Sequence, residues 1–235
     1  MNNKAKNLLM GKGEMAESLL LSILLTFSGG FQDAYTYMVR GGVFANGQTG
    51  NVVLFSANLF SGNFRAALHY LFPITAFIAG VFVAAAMQYH FTKAKIFHWR
   101  QWVLAMEFAV MLGVGFIPVG ETGNMAANIL VSFSCAMQVE AFRRVCGVNY
   151  ASTMCIGNLR SGVEALSLYM EGRSKSELKK AFYYFVVILV FILGAGAGAA
   201  LSKGLGVHSI WCCCLLLLTC FIMLQLDRKK GNNMV

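Results

Sequence analysis

Residues 29–55 read GGFQDAYTYMVRGGVFANGQTGNVVLF. The stretch carries Gln32, Asp33, Arg40, Asn46, Gln48, Thr49 and Asn51, yet it belongs to a chain of 235 residues that is 57% hydrophobic and only 12% charged. Soluble domains are nearer a quarter charged. Several apolar runs approach the roughly 20 residues that cross a bilayer. Composition therefore predicts an all-α polytopic membrane protein, with one transmembrane domain over 1–235 and the lipid bilayer as its main partner. A membrane β-barrel is excluded, because it needs alternating segments of about ten residues rather than continuous apolar runs.

Working outward, apolar segments fall at about 15–39, 43–61, 67–91 and 99–118, then at about 123–146, 150–170, 178–202 and 208–226. The two sets are related. A shift of 107 residues brings Asp33 onto Glu140, Ala34 onto Ala141, Tyr35 onto Phe142, Gly50 onto Gly157 and Asn51 onto Asn158. Farther on the shift grows to 114, and FIAGVFVAAAM (77–87) meets FILGAGAGAAL (191–201). Ordered matches at a fixed spacing signal an internal repeat, with repeat 1 at about 15–118 and repeat 2 at about 123–226.

Lysine and arginine accumulate in cytoplasmic loops. With the N-terminus inside and all eight segments crossing, 11 basic residues lie inside and 7 outside. If 43–61 and 150–170 instead dip in and return, the split becomes 15 to 3, with Arg160 left uncounted inside its segment. The charge pattern favours two inverted repeats of three transmembrane helices each, plus one re-entrant or broken helix per repeat. The alternative is eight full crossings. Both place the N- and C-termini in the cytoplasm. The basic N-terminus followed by an apolar run has no small-x-small cleavage site, so it reads as a retained first helix.

The net charge of +9 sits in short clusters between apolar runs, which marks topology rather than a nucleic-acid surface. Cys212, Cys213 and Cys214 act as small hydrophobes, and no histidine cluster accompanies the other cysteines, so neither metal nor cofactor is expected. No hydrolase, P-loop or dinucleotide motif is present, and the expectation is of a protein that is not an enzyme.

Three features carry the candidate chemistry. NGQTGN (46–51) and its counterpart STMCIGN (152–158) are irregular stretches, tolerated in a membrane only where protein or a water-filled cavity surrounds them. Gly47 and Gly50 permit a turn there, and Thr49 or Asn51 suits a cap for a helix starting near Val52. Such a helix N-terminus suits an anion. Packing points for broken helices are the plainer account. Second, Asp33 and Glu140 put carboxylates deep in membrane helices, which costs roughly 2.5–3.5 kcal/mol on insertion scales and asks for a role or a partner. Arg143 and Arg144 are near enough to pair Glu140 locally, whereas Asp33 has only Arg40, two turns away. Third, Gln32 and Gln138 flank the acids. Candidate substrate- or ion-binding residues are thus Gln32, Asp33, Thr49, Gly50, Asn51, Gln138, Glu140, Gly157 and Asn158. Arg160 and Glu164 read as a self-satisfied pair four residues apart. Glu107, inside WVLAMEFAVML, has no counterpart in the other half and reads either as a lipid-shielded partner of an arginine or as a coupling site. Gly194 and Gly198 allow close helix packing, either on the other repeat or on a second copy in a homodimer.

The opening stretch resembles the signature of the YoaK-type family, bacterial integral membrane proteins grouped as a domain of unknown function and sometimes called small permeases. The residues carrying it are Gly30, Asp33, Ala34, Tyr35, Gly42, Phe44, Thr49, Gly50 and Asn51. Gln138, Ala141, Gly157 and Asn158 resemble the partner motif, with Ile156 where the pattern has Thr. The resemblance implies a bacterial inner-membrane protein. The expected function is a small secondary transporter of a small solute, anionic at the helix N-termini and coupled to protons at the acids, with its site between the repeats. The rivals are a passive channel built from two opposed half-helices and a structural or regulatory protein that transports nothing.

Overall fold

A computed structural model describes residues 15–91 and 98–232, with the side chains of 229–232 set aside. Lys4, Lys6, Lys12, Lys93 and Lys95 lie outside the described residues, as do the side chains of Lys229 and Lys230. The described chain is almost wholly helical. The helices are α1 (Leu19–Val39), α2 (Gln48–Phe60), α3 (Phe64–Phe91), α4 (Trp99–Val114), α5 (Glu121–Ala141), α6 (Cys155–Met170), α7 (Lys175–Leu205) and α8 (Trp211–Asn232). Each apolar segment of the sequence yields one of them. Two-residue strands β1 (Arg144–Val145) and β2 (Val148–Asn149) form a hairpin before α6. Its turn uses Cys146 at φ 50 and Gly147 at φ 81. The segment expected to stay helical through 146 therefore ends at Ala141, where the chain takes up hairpin geometry.

Local chemistry sets several ends. Ser18 caps α1 through its side chain, which accepts the Leu21 N–H at 3.2 Å. His98 caps α4 in a capping box with Gln101. Gly41 and Gly42 turn the chain after α1 at φ 85 and 76, backbone values that glycine adopts without strain. The turn therefore lies earlier than Gly47 and Gly50. Gly47 precedes α2 at φ −75, with no side-chain cap, and Asn51 lies inside the helix.

α3 and the run Lys175–Arg228, which holds α7 and α8, are long and apolar enough to cross a membrane. α1 and α5, each of 21 residues, span about 31 Å. α2, with 13 residues, spans about 20 Å, short of a hydrocarbon core of about 30 Å.

α1 packs chiefly on α7, α3 on α5, α2 on α3, α6 on α7, and α4 on α8. Glycines set the closest approaches. A Cβ on Gly30 would collide with the Phe191 carbonyl, and one on Gly194 with the Phe27 carbonyl, so α1 and α7 touch backbone to backbone. Gly198 lies against Phe31 in the same seam, and Gly80 of α3 meets the Phe133 carbonyl of α5. The small-residue face of α7 is thus used within the chain.

The two ends of the bundle are distinct. At one, Arg65 pairs with Glu121 at 2.7 Å, and Gly41 lies beside His69 and Asn124. The chain therefore enters and leaves α2 at the same end of the molecule. At the other, the Cys146 N–H donates to the Glu17 carbonyl and the Met15 N–H to Asp227.

Candidate functional site

The short helices begin against the middle of α1. The Asn46 side chain donates to the Gly29 carbonyl at 3.1 Å. From the other half, Ser152 and Thr153 press on the same residue: a Cβ on Gly29 would lie 2.9 Å from Thr153 Cγ2 and 3.1 Å from the Ser152 carbonyl oxygen. Gly29 is midway along α1. The loops leading into α2 and α6 thus reach one level of the bundle, and the absence of a side chain on Gly29 leaves room for the α6 loop.

Polar side chains of α1 and α5 hold these loops. Asp33 Oδ1 accepts the Asn46 N–H at 2.8 Å, and the Gly47 N–H is also directed at this carboxylate. Gln138 of α5 donates to Ser152 Oγ at 2.8 Å and to the Leu25 carbonyl at 3.3 Å. The two GN asparagines do matching work. Asn51 Nδ2 donates to the carbonyl of Phe44, seven residues back, at 2.7 Å. Asn158 Nδ2 donates to the carbonyl of Ala151, also seven back, at 2.7 Å, and to Met154 at 2.9 Å. The Ala151 N–H returns a bond to Asn158 Oδ1 at 3.2 Å. Both asparagines are buried, and their amides are largely used in bracing the loop.

The remaining sequence candidates divide. Asp33 is half-buried beside the start of α2, and its carboxylate lies within electrostatic reach of Cys155 at the start of α6. Thr49 and Gly157 are exposed, Gly50 is half-buried, and neither glycine has positive φ. Glu140 does not join Asp33. It pairs with Arg143 at 2.8 Å, as the local spacing suggested, and lines a separate cavity of about 190 Å³ with Glu17, Arg100 and Arg144. Gln32 turns away from its neighbour Asp33 toward α4 and α5, where it donates to Glu107 at 3.2 Å and accepts from Cys135 at 2.7 Å.

Neither Arg40 with Asp33 nor Arg160 with Glu164 forms a pair. Arg40 does not reach Asp33. It is fully buried and donates to the carbonyls of Val114, Ile117 and Pro118 and to the Tyr35 hydroxyl at 2.8–3.3 Å. A cation at the C-terminal end of α4 complements that helix's dipole. Arg160 and Glu164 both stay exposed, and no ion pair joins them among the described residues.

Around the two loop tips several buried oxygens lack a partner: Asn46 Oδ1, Gln138 Oε1 and Thr153 Oγ1. Buried polar atoms are normally satisfied by protein or by ordered water. Asn46, Ser152 and Thr153 lie in the two irregular stretches the sequence marked but were not among its candidate binding residues, and nor was Gly29.

Residues 21–223 match the model of a family described as "Protein of unknown function (DUF1275)". The chain is 27% identical over 184 residues to the UPF0700 transmembrane protein YoaK of Bacillus subtilis (strain 168), a match covering 73% of this chain and 78% of that protein. No solved structure matches. With its family model spanning nearly all of the helical bundle, this chain belongs to the DUF1275 family.

Proposed function

We propose that the protein is a small secondary transporter of the bacterial inner membrane, with both termini cytoplasmic. In this reading six helices cross, and α2 and α6 are re-entrant from opposite faces, as the second members of two inverted repeats. The exchange of partners supports it: α1 packs on α7 as α3 packs on α5, and α2 on α3 as α6 on α7. The matched bonds of Asn51 and Asn158 to carbonyls seven residues back support it further.

The observation that carries the transport reading is the meeting of both loop tips at Gly29, amid partnerless buried oxygens. Irregular backbone at membrane depth needs protein or a water-filled cavity around it. A solute or water passing here would satisfy Asn46, Gln138 and Thr153. The start of α6 lacks a side-chain cap, so its free N–H groups suit an anionic group of the solute. Asp33, beside it, suits a coupling proton or a cationic group. Inverted repeats with broken helices at the midplane are a recurrent transporter design.

The test is flux in proteoliposomes. Solute accumulation driven by a pH gradient, and lost in Asp33→Asn, is the expected result. Absence of any flux for a panel of small anions and zwitterions would remove the reading. A passive channel is the second reading, favoured by the end-to-end approach of two half-helices to one crossing helix. It predicts downhill flux that survives Asp33→Asn and never becomes concentrative.

A further inference from the structure

Glu107 lies eight residues into α4 and has no solvent exposure. Its Oε1 accepts one bond, from Gln32 Nε2 of α1 at 3.2 Å. Its Oε2 is buried and has no partner. The same Gln32 amide donates to Ser28 at 2.9 Å, and its carbonyl accepts from Cys135 of α5 at 2.7 Å. Cys213 of α8 closes the cluster through the Ser28 carbonyl at 3.9 Å. Four helices from both halves of the chain therefore converge on one carboxyl group.

No cation among the described residues balances that carboxyl. The ion pairs among the described residues are Arg65 with Glu121, Arg143 with Glu140 and Lys180 with Glu177. The nearby buried cation, Arg40, spends its donors on Tyr35 and the end of α4. The titratable groups facing Glu107 are the thiols of Cys135 on α5 and Cys213, Cys214 and Cys220 on α8, with Asp33 of α1 reaching Cys135 from the far side. None of these supplies positive charge. An isolated carboxylate in an apolar interior is among the costliest groups a fold can hold. The surrounding amide, hydroxyl and thiols offer too few hard oxygens for a divalent cation.

We propose that Glu107 is a reversible proton-binding site at the junction of α1, α4, α5 and α8, with Gln32 fixing Oε1 and leaving Oε2 to take the proton. Binding forms an O–H bond at Oε2 and neutralises the carboxyl, and release restores the anion. Release puts an unpaired charge against the α1–α8 contact, so occupancy of the site is tied to how tightly those helices pack. Its role as a coupling site rests on the transport reading above, but the proton itself does not.

The experiment is infrared difference spectroscopy of the full chain in lipid nanodiscs across a pH series, in H2O and ²H2O. The expected result is a protonated-carboxyl band that disappears as pH rises. With the other buried acid removed by Asp33→Asn, that band should be retained, lost completely on adding Glu107→Gln, and displaced on adding Gln32→Ala. A band that survives when Glu107→Gln is added to Asp33→Asn overturns the proposal. So does a Glu107 carboxyl that is ionised at every pH, or protonated at every pH, at which the protein stays helical and monodisperse. Where Glu107→Gln does not fold, Glu107→Asp keeps the acid and must move the band; an unmoved band overturns the assignment. No flux is measured, so failure here and failure of the transport reading are separate results.

Discussion

Arg40 holds a full positive charge out of water with no carboxylate beside it. Three carbonyls at the end of α4 and the Tyr35 hydroxyl take its donors instead, and the Tyr35 hydroxyl itself donates to the Val207 carbonyl. Removing the guanidinium strands several buried acceptors, each worth about 1–3 kcal/mol when left unmet. Arg40→Ala is therefore expected to lower the thermal midpoint of the detergent-solubilised protein by more than any exposed arginine variant, Arg173→Ala serving as the control. Arg40→Lys should rescue little, since one ammonium cannot span the acceptors a planar fork reaches. None of this was legible in the sequence. Spacing along a helix pairs Arg40 with Asp33, but the carbonyls it caps lie more than seventy residues away, and only the docking of α4 brings them near. The asparagines are a contrasting case. Their recurrence was visible, and their task was not, because a bond to a carbonyl seven residues back depends on the path of the loop. Asn51→Asp and Asn158→Asp each turn a donor into a repelled acceptor. Both should destabilise by roughly 1–3 kcal/mol, and a large difference between the two would count against matched roles in the two halves.

At the scale of elements, packing is set where side chains are missing. α1 and α7 touch through Gly30, Gly194 and Gly198, and α3 and α5 through Gly80. Introduced methyl groups there meet backbone atoms that cannot swing aside. Gly30→Ala and Gly194→Ala should each cost about 1–3 kcal/mol or more, whereas Gly196→Ala, which meets nothing within 4 Å, should be neutral by the same thermal assay. The spacing of these glycines announced close packing, and sequence correctly left two partners open. It could not choose between them, since the face of α1 that receives α7 is marked by no more than Gly30 and the backbone of two phenylalanines. Helix positions were read well from apolar runs, while the true starts of α2 and α6 were not. Both short helices begin several residues after the apolar character does, because the intervening residues are spent reaching Gly29.

For the whole molecule, the charge count made a specific claim that the arrangement of ends allows to be tested. In the six-crossing topology Arg65 and Arg173 face opposite sides of the membrane, and in an eight-crossing one they face the same side. In a background with the seven native cysteines replaced, Arg65→Cys should react with an impermeant maleimide from outside intact cells. Arg173→Cys should react only after the membrane is opened. Equal reactivity of the two sites would reject the inverted arrangement. The family and the membrane class were legible from composition and one motif, because those depend on what a bilayer will admit. The junction at Gly29 was not, because it is made by residues from three distant segments, none unusual by itself.

The longest helix of each half lies on the first helix of the opposite half: α7 on α1, and α3 on α5. The halves are therefore laced through one another rather than set side by side. Neither could shelter its own longest apolar helix if made alone. In the inverted topology proposed above, a half-length version of this chain would have to meet a second, upside-down copy to bury the same surfaces, so a single-repeat forerunner would be constrained to be a pair inserted in both orientations. The same lacing predicts that fragments 1–119 and 120–235, produced separately, are degraded, and that together they reassemble into one stable particle.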